Sequence, residues 1–132
     1  MKNSAYKQTD REKIISLRNR LTQEFEKPAN VDSLARIIQM NDHKMQELFK
    51  EETGVTIYRF HFMERMKEAC RLLINTDEVL KNLSKMVGYK NTTSFINAFK
   101  DVYGVTPDEY RRDPVNHVHF NMQTNGNQLS TN

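Results

Sequence analysis

One pair of histidines, His117 and His119, has a spacing that could grip a metal ion, and one cysteine, Cys70, could act as a thiolate. Neither has the company such chemistry needs. A zinc site draws four ligands from Cys, His and carboxylates, and the segment from Pro114 to Asn132 contains no Asp, Glu or Cys, so no metal is expected there. Cys70 sits beside Ala69 and Leu72, where an inert, partly buried thiol is expected rather than a redox sensor. A lone cysteine also excludes an intramolecular disulfide framework. The sequence holds no glycine-rich phosphate loop, no paired carboxylates in an apolar setting, and no Ser or Cys placed with a His partner. No enzyme and no cofactor is expected.

The elements that could position other side chains are helices. Only four glycines and three prolines occur in 132 residues, and apolar residues recur at three- and four-residue spacing without strand-like alternation. The fold class is therefore all-α, with seven helices. Ile14, Ile15, Leu17, Leu21 and Phe25 form the apolar stripe of a first helix that Pro28 closes off. A short second helix starts near Asp32 as its cap, with Leu34, Ala35 and Ile38 inward. Asn41 or Asp42 caps a third, with Met45, Leu48 and Phe49 buried and Gly54 as its end. The longest helix runs from about Thr56 to Asn75, with Phe62, Met66, Ala69, Leu72 and Leu73 among its apolar positions. A fifth spans about Val79 to Val87 before Gly88. Asn91 caps a sixth, with Phe95, Ala98 and Phe99 inward and Gly104 at its end. Thr106 and Pro107 open a last helix through Tyr110. Met40, Met45, Met63, Met66 and Met86 are expected to fill the core. Tyr58, Phe60, His61 and Phe62 make an aromatic cluster open to two uses, core packing or a protein-contact patch.

An internal repeat carries the functional information. Leu34 and Ile38 match Leu83 and Val87 at an offset of forty-nine. Met45, Phe49, Lys50, Gly54, Val55 and Thr56 then match Phe95, Phe99, Lys100, Gly104, Val105 and Thr106 at an offset of fifty, so the second copy has one more residue in its turn. Each copy is a short helix, a turn, and a second helix with a polar outer face. Those are helix-turn-helix proportions, in which the second helix lies in the major groove. Glycine-ended helix pairs also occur in plain bundles, and spacing alone leaves both readings open. A linker helix of about 20 residues extends about 30 Å, close to the roughly 34 Å between successive major-groove entries on one duplex face.

The stretches LFKEETGVT (48–56), ERMKEACRLL (64–73) and MVGYKNTTSFINAFKDVYGVTPDEYR (86–111) resemble the DNA-binding domain of the AraC/XylS family of bacterial transcription regulators. The resemblance covers about residues 11–112. It implies two homeodomain-like helix-turn-helix subdomains, about 31–54 and 79–104, joined by the linker helix at about 56–75. It also implies promoter binding, as activator or repressor, and a frequent contact with RNA polymerase. By position it places His43, Gln46 and Glu47 of the first recognition helix, and Thr92, Thr93 and Asn97 of the second, at base edges. Gln46 and Asn97 can pair bidentately with adenine, the threonines can meet an acceptor or a thymine methyl, and Glu47 can accept from cytosine N4. Lys44, Lys90, Asn91, Lys100 and Arg111 are the expected phosphate contacts, together with the helix N-termini.

Two departures from the family pattern weaken the first copy. Glu47 stands where a basic residue is frequent, and residues 42–52 carry a net charge of −2. Gln39 stands where glycine is common, while the second copy keeps Gly88.

The chain has a net charge of +3, which permits a nucleic-acid partner without requiring one. Residues 1–30 hold seven Lys/Arg against four Asp/Glu, and residues 31–113 hold thirteen of each. Residues 1–10 read as an N-terminal extension, and residues 113–132, uncharged from Pro114 onward and rich in Asn and Gln, as a disordered tail. With no signal-peptide or membrane-span run of apolar residues, the chain is expected in the cytoplasm, at the nucleoid, with double-stranded promoter DNA as partner and no membrane. It is either a small stand-alone member that binds DNA as a monomer or the C-terminal part of a larger regulator. A module of the same fold that contacts RNA polymerase or another regulator, with weakened DNA binding, is the alternative.

Overall fold

A computed structural model describes residues 8–115; the expected N-terminal extension and tail, including His117 and His119, lie largely or wholly outside them. Among the described residues there are seven helices and no strand, in agreement with the periodicity: α1 (Gln8–Leu21), α2 (Val31–Ile38), α3 (Asp42–Thr53), α4 (Ile57–Asn75), α5 (Leu80–Met86), α6 (Thr92–Tyr103) and α7 (Pro107–Arg112). None is long and apolar enough to cross a membrane. The chain divides into two compact units, Met1–Arg65 and Met66–Asn132.

In the first unit, α1, α2 and α3 enclose a core of Ile14, Leu17, Leu21, Leu34, Ala35, Ile38, Met45, Leu48 and Phe49, closed by Ile57 at the start of α4. Each large apolar side chain so enclosed contributes roughly 2 kcal/mol. Phe60 packs edge-on against Phe49 with ring centroids 5.3 Å apart. Three polar contacts tie α1 to the elements behind it. Asp10 pairs with Lys44 at 2.9 Å, Arg11 with Glu52 at 3.4 Å, and Lys13 Nζ donates to the Gln39 carbonyl at 2.8 Å.

The first helix is shorter than its apolar pattern. It ends at Leu21, Ile15 is exposed, and Phe25 lies beyond the helix. Past Leu21 the chain leaves the helical path, and Phe25 stacks on His61 with centroids 6.5 Å apart, while His61 Nε2 donates to the Glu24 carbonyl at 2.6 Å. These tertiary contacts outweigh the local period. The cap of α2 also moves: Asn30, not Asp32, accepts from Ser33 N at 2.9 Å. Of the aromatic cluster, His61 is buried and Tyr58 is exposed.

In the second unit the buried residues include Met66, Ala69, Leu72, Leu73, Leu83, Val87, Phe95, Phe99, Val102, Tyr103 and Tyr110. Phe99 is the hub of its aromatic core, with centroids 5.8 Å from Phe95, 4.6 Å from Tyr103 and 5.6 Å from Tyr110. α7 begins with a capping box between Thr106 and Glu109, and Pro107 occupies its first turn. Met86, expected inside, is exposed. Cys70 is half-buried against the Tyr103 and Tyr110 hydroxyls, and its burial raises the thiol above its ordinary range, as suits an unreactive thiol.

Candidate nucleic-acid interface

The repeat seen in the sequence is a repeat of backbone geometry. At the end of α2, Met40 N donates to Ala35 O at 3.0 Å and Gln39 N to Arg36 O at 3.3 Å. At the end of α5 the equivalent bonds, forty-nine residues on, run from Tyr89 N to Ser84 O at 2.9 Å and from Gly88 N to Lys85 O at 3.1 Å. Both are Schellman turns, which require a left-handed residue; Gln39 supplies it at φ 57° and Gly88 at φ 92°. The next helices start alike. Asn41 Oδ1 accepts from Lys44 N at 3.1 Å and Asn91 Oδ1 from Ser94 N at 2.8 Å. They also end alike, with Gly54 N bonded to Lys50 O and Gly104 N to Lys100 O. Small residues, Ala35 and Ser84, occupy the same place in α2 and α5. The Ser84 hydroxyl is buried and satisfied by Leu80 O at 2.6 Å.

α3 buries Met45, Leu48 and Phe49 and exposes His43, Gln46, Glu47 and Lys50. That i, i+3, i+4, i+7 spacing is one helix face. These four residues line an open depression of about 360 Å³ together with Thr56 and Ile57. Gln46 Nε2 donates to Asp42 O at 3.3 Å, a weak bond that a better acceptor would displace. The corresponding face of α6 exposes Thr93, Asn97 and Lys100, with Thr92 and Ile96 half-buried. Gln46 and Asn97 are thus both open to solvent.

The expected phosphate contacts divide. Lys90, Asn91 and Lys100 are exposed at the start and end of α6. Lys44 is held by Asp10 instead. Arg111 is turned inward: its Nε donates to Leu73 O at 3.1 Å and its guanidinium to Thr76 O at 3.3 Å, which satisfies carbonyls at the end of α4 and pins α7 there. Unlike the other three, these two have a fixed acceptor on another element. Three residues of the face were not singled out from sequence. Lys50 is the repeat counterpart of Lys100, Ile96 that of Gln46, and Thr56 lines the depression; the fifty-residue offset was the signal for the first two. Among the described residues no group of three His, Cys, Asp or Glu could hold a metal ion.

A family model described as a helix-turn-helix domain matches residues 34–113, well over half of the chain. The chain is 34% identical over 85 residues to the xylose operon regulatory protein of Escherichia coli K12, a stretch that covers 64% of this chain and 22% of that protein. It therefore spans a minor part of the length of such curated relatives. The C-terminal domain of AraT, a response regulator from Geobacillus stearothermophilus, superimposes with a TM-score of 0.71 at 26% identity, over 76% of this chain and 84% of that one. The DNA-binding domain of AdpA, solved in complex with a target DNA, shares the fold with a TM-score of 0.69 at 20% identity, over 76% and 96%.

Proposed function

We propose that this chain, which belongs to the AraC/XylS family of helix-turn-helix domains, is a DNA-binding transcriptional regulator whose α3 and α6 read base edges in neighbouring major-groove segments of a promoter. The observation that carries the reading is the duplicated unit, in which two helices with the same caps expose the same face. Base contacts are assigned to His43, Gln46 and Glu47 of α3 and to Thr92, Thr93 and Asn97 of α6. Phosphate contacts are assigned to Lys90, Asn91 and Lys100, with Lys50 added and Lys44 and Arg111 removed. The side chains suit direct readout: Gln and Asn pair bidentately with adenine, and a carboxylate accepts from cytosine N4. RNA polymerase as a second partner and a cytoplasmic, nucleoid location belong to the same proposal.

Selection of bound sites from a random DNA library, followed by gel shift, tests it. Gln46→Ala and Asn97→Ala each lower affinity for the selected site by about 1–3 kcal/mol if each loses a bidentate pair, and binding unaltered by both removes the assignment. A second reading has its own observation, the net charge of −2 over residues 42–52. In that reading the fold serves a protein contact with RNA polymerase or another regulator. It predicts binding nearly independent of salt, where phosphate contacts predict a steep fall.

A further inference from the structure

Lys44 lies in the first turn of α3, where a cation would ordinarily stand next to a DNA phosphate. Its ammonium is instead 2.9 Å from Asp10 Oδ2, with the lysine side chain 47% and the aspartate side chain 11% exposed. Asp10 Oδ2 is shut off from solvent, and among the described residues Lys44 is the cation paired with it. The two partners are therefore not equivalent. Lys44 could turn to a phosphate and remain solvated, but Asp10 would be left as an enclosed carboxylate without a counter-charge, and an uncompensated enclosed charge is strongly unfavourable. The pair holds because of the aspartate.

We infer that Asp10 withholds Lys44 from DNA: α1 places a carboxylate where a backbone phosphate would otherwise sit, and so sets the affinity of the first reading helix low. The inference rests on the DNA-binding reading above. Asp10 acts through Lys44 and is a positioning residue, not a contact. Arg11 beside Glu52 and Lys13 on the Gln39 carbonyl fasten α1 to the other end of α3 and to the turn before it, so the carboxylate is carried on a fixed element. With Lys44 neutralised, Lys50 is the lysine of α3 left facing the open depression. The first head then contributes base discrimination with little charge-driven affinity, and non-specific DNA is bound weakly.

The test is a fluorescence anisotropy titration of the full chain on a duplex selected by the wild type, and on a mixed-sequence duplex of equal length, across a range of salt. Asp10→Asn is expected to tighten binding to both duplexes several-fold at low salt and to steepen the slope of log affinity against log salt by about 0.9, the value for one added phosphate contact. Lys44→Ala is expected to leave the slope unchanged in the wild-type background and to return it to the wild-type value in the Asp10→Asn background. An Asp10→Asn chain that is folded by circular dichroism yet binds with unchanged affinity and slope overturns the inference. So does Lys44→Ala if it makes the wild-type slope shallower by about 0.9, since Lys44 would then reach phosphate despite Asp10. Read on a Lys44→Ala chain shown by circular dichroism to be folded, that second arm decides the matter even where Asp10→Asn fails to fold. A wild-type chain that binds neither duplex in a salt-dependent way sinks the DNA-binding reading itself and this inference with it; the other failures leave that reading standing.

Discussion

Gln39 turns the chain into the first reading helix at φ 57°, a left-handed backbone that glycine adopts freely and a residue with a Cβ adopts at a cost of about 1 kcal/mol. Gly88 does the same work in the second copy at φ 92°. Gln39→Gly is therefore expected to raise the free energy of unfolding by about 1 kcal/mol, read as a higher urea midpoint with the denaturant slope unchanged; a lowered midpoint would show that the Gln39 side chain contributes more than its backbone strain removes. Ile96 invites a different measurement. It occupies the place in α6 that Gln46 has in α3, half-buried on the outer face, and an apolar side chain there suits a thymine methyl. Replacing single thymines of the selected site by uracil should weaken wild-type binding about fourfold at one position, roughly 0.8 kcal/mol for one buried methyl, and Ile96→Ala should abolish that preference. Gln39 could be read from sequence because its backbone requirement recurs forty-nine residues later. The partners of Lys44 and Arg111 could not, since each lies on an element whose packing no local pattern states.

At the scale of the element, three caps were legible, whereas the cap of α2, which is Asn30 and not Asp32, and one helix end were not. Asn41, Asn91 and Thr106 announce their helices by residue type, and each accepts the expected backbone N–H. Asn91→Ala should lower stability by about 1 kcal/mol through the lost cap, visible in thermal unfolding followed by circular dichroism. The end of α1 was misread because the apolar period continues to Phe25 while the chain does not. What stops it is His61 of α4, which stacks on Phe25 and donates to Glu24 O. Its Nδ1 is buried without a hydrogen-bond partner. Burial, with the Arg65 charge as a lesser cause, lowers the His61 pKa below its ordinary value, against the opposing bond to Glu24. The unfolded chain then binds the proton more readily than the folded one, so stability is fully present above about pH 6.5 and declines as pH falls through that value toward the lower folded pKa. Unfolding free energies measured from about pH 7.5 down to about pH 5.5 should fall. His61→Gln should flatten that dependence, and an equal pH dependence in the variant would place the titrating group elsewhere.

For the whole molecule, the two copies share geometry but not charge, and that asymmetry separates a DNA regulator from a protein-contact module. Residues 42–52 sum to −2 and Lys44 is paired with Asp10, whereas α6 is flanked by exposed Lys90 and Lys100. Affinity should therefore come mainly from the second copy, with the first adding discrimination. Asn97→Ala is expected to reduce affinity for the selected site at least tenfold, within the 1–3 kcal/mol of a bidentate adenine contact, and Gln46→Ala to reduce it less while relaxing preference at its own position. Three lysines available to phosphate, Lys50, Lys90 and Lys100, imply a slope of log affinity against log salt near −2.7. A slope near zero would favour the protein-contact reading, because no rearrangement of hydrogen bonds at base edges can substitute for released counterions. A slope much steeper than about −2.7 would mean that Lys44 or Arg111 leaves its intramolecular acceptor on binding. Lys100→Ala and Lys90→Ala should each make the slope shallower by about 0.9 while preserving the selected sequence. If the sequence preference shifts instead, those lysines touch bases, and the second copy reads DNA with a different face of α6 from the one assigned to it.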